Sequence, residues 1–336
     1  YLRYKKYGVN SIALNVTSNA TQGLNGFMRI GKLQAEGLVI DTIQATITHG
    51  EEGLKFAATV ENRKTENPNP FLATLHGHLL RAGAAADIAF QDANGRLGLR
   101  LGAQVEMEDG GTRLHLNADT AVVAYRNFSV NPDNYLFVSN DRRVRANIKL
   151  LADDGTGLQI YSEGSDSLKN DITLTINRLN LGELANVLPY LPKVGGTLDG
   201  DFHIIEDQHN FAAVGAATAK NFSYEGTQIG TLGTELMYQP GENGQHIANG
   251  YLTLDGKEVA EIGGTYDPKG KGYFDGSFNI RSLPLNVANA FLKETGFAMR
   301  GTAEGAFSVK GALDAPVING QLKLDEAHLY SNVYGI

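Results

Sequence analysis

The chain has no cysteine and no tryptophan. Without cysteine there can be no disulfide scaffold, no thiolate zinc site and no cysteine nucleophile. Proline is scarce, with 9 residues in 336, while glycine is abundant at 40. That balance suits many strands joined by tight turns. Charged residues make up only 20%, below the usual quarter. An excess of positive charge is also lacking: the formal net charge is −8. This argues against nucleic acid, which needs a basic stripe, and leaves no polybasic handle for anionic lipid headgroups. No run approaches the roughly 18 to 20 apolar residues that cross a bilayer as a helix, and nothing resembles a signal peptide. Gly-x-Ser-x-Gly, His-Glu-x-x-His and P-loop motifs are absent. The chain starts at Tyr1 rather than Met and stops at Ile336 within a pattern. It is expected to be a piece of a longer protein, so missing targeting signals say nothing of the parent.

What is present is period-two alternation along nearly the whole length. Ile12, Leu14 and Val16 alternate with polar or small residues, as do Leu114, Leu116 and Ala118. Val144, Ala146, Ile148 and Leu150 alternate with Arg143, Arg145, Asn147 and Lys149. Ile172, Leu174 and Ile176 are followed by Leu198, Gly200, Phe202 and Ile204, then Phe274, Gly276, Phe278 and Ile280. Ala303, Gly305, Phe307 and Val309 repeat the design, and so do Ile318, Gly320, Leu322 and Leu324. Such strands put one face in an apolar medium and the other in water. About 20 of them are expected from the spacing of turn signals such as Asp109-Gly110-Gly111, Asp154-Gly155 and Asp255-Gly256.

Helix is expected twice. Leu181, Leu184 and Leu188 fall at helical spacing, Asn180 can cap the start with Glu183 three residues on, and Pro189 and Pro192 end the segment. This helix either plugs an edge of the sheet or dips into it as a gate, with Leu188 at its end. A second short helix is expected from about Asn286 to Lys293, after Pro284. Asn62 to Pro70 reads as a loop.

The helix-plus-strand unit recurs. Ile176-Asn-Arg-Leu179-Asn-Leu181 matches Ile280-Arg-Ser-Leu283-Pro-Leu285, 104 residues on. Gly196-Thr-Leu-Asp-Gly200-Asp-Phe202 matches Gly301-Thr-Ala-Glu-Gly305-Ala-Phe307 at 105, and Gly215 and Gly320 keep that offset. The repeat spans 176–230 and 280–336. Units that cannot bury their own apolar face stack on neighbours, so 1–336 is expected to be a single elongated segment.

No catalytic residue is assigned. His76 and His78 could share a strand face, but no third metal ligand is placed by spacing, so they read as solvent-facing. Asp153-Asp154-Gly155-Thr156-Gly157 lacks the run and terminal Glu of a calcium loop and reads as a hairpin turn. Glu51, Glu52 and Asp141 read as solvated charges. Arg142, Arg143 and Arg145 form the densest basic cluster, on a solvated outer face, with contact to a headgroup at a groove rim as the sharper alternative. No cofactor or metal is expected.

Several phrases together resemble the TamB family, the translocation and assembly module subunits of the wider AsmA-like group. They are Gly301-Thr-Ala-Glu-Gly-Ala-Phe-Ser-Val-Lys-Gly311, then Asp314-Ala-Pro-Val-Ile-Asn-Gly-Gln-Leu-Lys-Leu324. Leu179 to Pro192, ending in Leu-Pro-Tyr-Leu-Pro, and Asn131-Pro-Asp-Asn-Tyr-Leu-Phe-Val138 before Arg143-Val-Arg-Ala add to it. The resemblance covers about residues 115 to 336 and has a Bacteroidetes-type flavour. It implies an all-β fold: a long, largely antiparallel sheet curled into an elongated open groove, or β-taco, with one or two short helices. It further implies a periplasmic segment of an inner-membrane-anchored protein in a Gram-negative bacterium. The parent would meet a TamA-type outer-membrane barrel through a C-terminal part outside this chain. The expected function is lipid transport between the membranes, with phospholipid acyl chains as partners. The alternative is a periplasmic chaperone or structural module that aids outer-membrane protein assembly by β-augmentation. A polysaccharide-processing β-helix is disfavoured by the lack of Trp and of a paired-carboxylate site. In a bacterial periplasm the sequons at Asn15, Asn19, Asn127 and Asn221 would be chance matches. The candidate lipid-binding wall is Val144, Ile148, Ile172, Leu174, Ile176, Leu198, Phe202, Ile204, Phe274, Phe278, Ile280, Phe307, Val309, Leu322 and Leu324.

Overall fold

A computed structural model of the chain describes residues 2–331, except 5–6, 20–22, 36–37, 51–52, 63–69, 118–120, 165–167, 188–191, 208–209, 293–294 and 313. The described residues are all-β, with twenty-three antiparallel strands and two short α-helices. They fall into two compact units: Tyr1–Gly155 with Asn186–Pro189, and Thr156–Ala185 with Tyr190–Ile336. The expected features at Glu51, Glu52, Leu188, Pro189 and most of the 62–70 loop lie outside the described residues.

The first unit is a meander. Its strands are β1 (Leu2–Tyr4), β2 (Tyr7–Asn19), β3 (Gly23–Ala35), β4 (Leu38–Gly50), β5 (Gly53–Asn62), β6 (Phe71–Leu80), β7 (Gly83–Gln91) and β8 (Leu97–Glu108). Then come β9 (Gly111–Leu116), β10 (Ala121–Val123), β11 (Arg126–Val130), β12 (Tyr135–Ser139) and β13 (Val144–Leu151). Each of β1 to β8 pairs with the next in sequence. Asp109-Gly110 makes the turn from β8 to β9, where Gly110 has φ +98°, a conformation glycine adopts without penalty.

Beyond β8 the strands are interrupted. Both β9 and β10 pair with β8, while β12 and β11 pair with β9 and β10 respectively, and both with β13. β9 with β10 and β11 with β12 thus lie as two lines of strand, and the second line is broken at its middle. The break in the second is Asn131-Pro132-Asp133-Asn134, where Pro132 cannot donate to a ladder. Side-chain amides stand in for the missing backbone bonds. Asn134, only 2% exposed, accepts from the Leu116 N–H at 2.7 Å and donates to Leu116 O at 2.9 Å. On the other side Asn131 accepts from the Lys149 N–H at 2.8 Å and donates to Asn147 O at 3.2 Å. Around this splice the apolar residues are buried: Ala121, Phe128, Val130 and Ala152 form one cluster, with Leu101 and Leu150 against it. Val187 is buried in the same unit, its Cγ1 filling the space a Cβ on Gly98 would need.

The second unit is a ten-strand meander. It comprises β14 (Gly157–Ser162), β15 (Asn170–Asn180), β16 (Val194–Glu206), β17 (Phe211–Tyr224), β18 (Thr227–Pro240) and β19 (His246–Leu254). It continues with β20 (Lys257–Asp267), β21 (Tyr273–Pro284), β22 (Ala298–Ala312) and β23 (Ala315–Tyr330). Every strand pairs antiparallel with its successor. Helix α1 (Leu181–Asn186) follows β15, and its Asn180 cap accepts from the Glu183 N–H at 3.0 Å, as the sequence predicts. The second helical segment begins as a 3-10 turn at Leu285–Ala288 and becomes α2 (Asn289–Leu292), with Leu285 and Ala290 buried.

The repeat has a backbone counterpart. Register shifts occur between Ile176 and Leu179 and between Ile280 and Leu283, with left-handed residues at Arg178 (φ +47°) and Ser282 (φ +51°). Gly196 (φ +117°) and Gly301 (φ +110°) form a second equivalent pair, Asn221 and Glu326 a third. These are β-bulges, which bend a strand and increase its twist.

Candidate lipid-binding face

Residues directly opposite in a ladder share a face, so the register fixes which side chains lie together. In the second unit one row runs from β14 to β23. It begins with Ile160, Leu174, Phe202 and Gly215, passes through Leu236, Gly250 and Ile262, and ends with Phe278, Phe307 and Gly320. Flanking rows carry Ile172 with Ile204, Ile176 with Gly200, and Leu198 with Leu179 and Ala219. Further on, Ile280 faces Gly305, Val309 faces Gly276 and Ile318, Leu322 faces Gly305, and Leu324 faces Ala303. Phe274 lies beside Tyr266 and Gly311. Thirteen of the candidate wall residues therefore stand on one face of this unit.

The face is tiled. A Cβ on Gly215 would lie 2.3 Å from Phe202 Cδ1, one on Gly250 2.4 Å from Leu236 Cδ2, and one on Gly320 2.1 Å from Phe307 Cδ1. Each large side chain thus lies down across the glycine of the next strand instead of standing upright. Phe202 over Gly215 and Phe307 over Gly320 are the same arrangement 105 residues apart. Much of the face is uncovered: Leu236 is 51% exposed, Ile262 48% and Leu322 51%. Contiguous exposed apolar area of this kind makes the face a candidate interaction surface.

At one end of the face the register brings in an aromatic ladder that no local pattern in the sequence announced. Phe211, Tyr238, His246 and Tyr266 come from four successive strands, with ring centroids 5.5, 5.5 and 6.1 Å apart. The Tyr238 hydroxyl and His246 Nδ1 are hydrogen-bonded. Rings with polar tips suit a boundary between an apolar surface and water.

The two candidate wall residues of the first unit behave differently. Val144 is half-buried opposite Val138. Ile148 is buried at 5% exposure, so it belongs to the core beside the broken strands and not to an open wall. An open apolar row does occur in this unit on β2, where Ile12, Leu14 and Val16 are all more than half exposed.

The opposite face of the second unit is mixed. Asp199 holds the Arg178 N–H freed by the bulge at 2.9 Å and the Lys220 ammonium at 3.1 Å. The Arg178 N–H bond, then Lys220, draw its pKa below the ordinary aspartate value against the opposing effect of burial. Lys310 is raised by its hydrogen bond to Asp275 at 2.9 Å. Such exposed pairs add little stability. A concavity of about 720 Å³ also lies here, and Phe202 alone of the candidate wall borders it.

Elsewhere, His76 and His78 lie on β6 opposite Asp87 and Ala85, with Ala57 and Lys55 on the other side. Among the described residues no three metal-ligating side chains converge. Asp154 sits in a turn closed by the Gly155 N–H to Ala152 O bond and pairs with Arg126 at 2.9 Å. Arg145 lies opposite Phe137, and the Asp141 carboxyl, lowered in pKa first by its Ser139 hydroxyl bond, is tied into its own turn. Among the described residues no helix is long and apolar enough to cross a membrane. No protein-family model, curated protein or solved structure matches this chain.

Proposed function

We propose that this chain carries lipid acyl chains along the apolar face of its sheet, as a periplasmic segment of a TamB-like conduit between inner and outer membranes. The supporting observation is the apolar row across all ten strands of the second unit, left about half exposed at Leu236 and Ile262, with Leu322 as exposed beside it. Burial of a methylene is worth about 0.8 kcal/mol. A sixteen-carbon tail covered on one side would gain about half of the full sum, on the order of 6 kcal/mol. Because the apolar row repeats from strand to strand, a tail bound there meets similar surface at each step.

A second reading, pairing of a client strand with an open edge, is supported by β23. Among the described residues its register is with β22 alone, and its residues from Ala315 to Leu329 are exposed. Exposed edges are templates for strand addition.

Native mass spectrometry with lipid extraction from the same sample tests the lipid reading. Phospholipid should co-purify with the wild-type chain and be lost from a folded Phe202→Asp/Phe278→Asp variant. Ser277→Asp, on the other face of β21, should retain it. Wild-type protein that emerges lipid-free under gentle conditions would sink the proposal.

A further inference from the structure

The concavity on the mixed face of the second unit, about 720 Å³, is within the roughly 300–1,000 Å³ range of small-molecule sites. Its composition is unusual for a solvent face. Val214 and Met237 stand directly opposite each other on β17 and β18 and remain 47% and 40% exposed. They form an apolar floor where alternation would place polar residues.

Carboxylates border that floor. Asp201, Glu235 and Glu261 occupy one cross-strand row, on β16, β18 and β20, with Ala216 and Tyr251 between them. Strand spacing sets successive acids about 10 Å apart. Glu258 is the fourth carboxylate on the lining, and Arg281 the one guanidinium. Arg281 is already engaged, by Glu258 at 3.0 Å and by Glu261. His203 is bonded to Asp171 at 2.7 Å. Tyr251 donates its hydroxyl to Glu235. Among the described residues neither Asp201 nor Glu235 has a cationic partner. The lining thus carries an unbalanced negative charge next to exposed hydrocarbon.

We propose that this concavity binds a small amphiphilic cation, an ammonium group carrying an apolar arm. The ammonium sits between Asp201 and Glu235. The arm crosses to Met237, two residues along β18 from Glu235, and to Val214, two along β17 from the intervening Ala216, each about 7 Å away. Charge complementarity selects this occupant: an anionic amphiphile would meet four carboxylates, and a polyamine without an arm would leave Val214 and Met237 in water. Phe202, Gly215, Leu236, Gly250 and Ile262 of the apolar row also border the concavity, but Phe278 does not, and the acids with Val214 and Met237 stand on the other face of the strands.

Titration calorimetry of the whole chain with decyltrimethylammonium, below its micellar concentration, tests the assignment. One saturable site is expected, at least tenfold tighter than for decyl phosphate or for spermidine, and weakened by salt. Asp201→Asn/Glu235→Gln, which keeps side-chain shape, should weaken the cation at least tenfold. Met237→Ser should weaken it as well. Phe278→Asp should leave cation binding unchanged even where it abolishes lipid co-purification. Equal affinity for decyl phosphate, equal affinity for spermidine, or wild-type affinity in either cup variant would each overturn the proposal.

Discussion

The tiling of the apolar face makes a prediction that can be worked from distances. In Gly215→Ala the new Cβ would sit 2.3 Å from Phe202 Cδ1, and its three nearest atoms all belong to that ring. No backbone atom is among them, so the ring must lift and the backbone need not move. Overpacking of this kind costs about 1–3 kcal/mol. Against it stands the reduced freedom of the unfolded chain, worth about 0.4–1 kcal/mol for a Gly→Ala change. The net expectation for Gly215→Ala is a loss of about 0.5–2 kcal/mol. In a Phe202→Ala background the clash is gone, and the same change should be neutral or stabilising. The two sites should therefore couple by about 1–3 kcal/mol in a double-mutant cycle. Because a long meander need not unfold in one step, the readout should be local. Native-state hydrogen exchange of the amides shared by β16 and β17 reports the opening of that ladder. If the two changes add without coupling, the ring does not lie over the glycine and the tiled floor is wrong.

Two further predictions concern local polar structure. Asn134→Ala removes the acceptor of the Leu116 N–H and the donor to Leu116 O and to Asn131 O. At about 1–3 kcal/mol for each buried group left unpaired, a loss of about 2–3 kcal/mol is expected, read as faster exchange of the β9 and β12 amides. A change of under 0.5 kcal/mol would mean water replaces the side chain without cost. Asp199 provides a pH test. Its folded pKa is depressed, chiefly by the Arg178 N–H bond and then by Lys220, so its stabilisation is present above the unfolded value of about 3.9. That contribution is lost as pH falls through the lower folded value. Exchange at β15 and β16 should be faster in Asp199→Asn than in the wild type at pH 7. The gap should close as both are taken below pH 4. A gap that persists undiminished in acid would assign the effect to shape and not to charge.

Much of this architecture was legible in the sequence because period two is a local signal. Ile172-x-Leu174-x-Ile176 and Phe274-x-Gly276-x-Phe278-x-Ile280 declare a face without any knowledge of partners, and the Asn180 cap is likewise written within four residues. The repeat pointed to Gly215 and Gly320 before their role as beds for Phe202 and Phe307 could be seen. What was not legible depends on register. Phe211 and Tyr266 are 55 residues apart, and only the pairing of four strands lines them up with Tyr238 and His246. The cup was hidden for another reason. Leu236-Met237 and Ala213-Val214 are apolar on both faces, so alternation says nothing about which side carries the extra hydrocarbon. Ile148 alternates like its neighbours, yet it is buried, and alternation on one strand does not record what packs over it.

The bulges explain how the apolar face survives a sequence that departs from strict alternation. Between Ile176 and Leu179 the spacing is three, which on a regular strand would put the two side chains on opposite faces. The pairing shows otherwise: Ile176 is opposite Gly200 and Leu179 opposite Leu198. Three steps on β15 thus answer two on β16, with the surplus residue absorbed at Arg178 in the left-handed region. The same happens between Ile280 and Leu283, where Ser282 takes the left-handed place. One inserted residue therefore carries the apolar row past a point where it would otherwise have turned toward water. It also frees one N–H, and in the first copy the Asp199 carboxylate on the neighbouring strand accepts it. An extended acyl chain needs a face that does not invert along the strands as well as across them. The bulges supply continuity in the first direction and the tiled glycines supply it in the second.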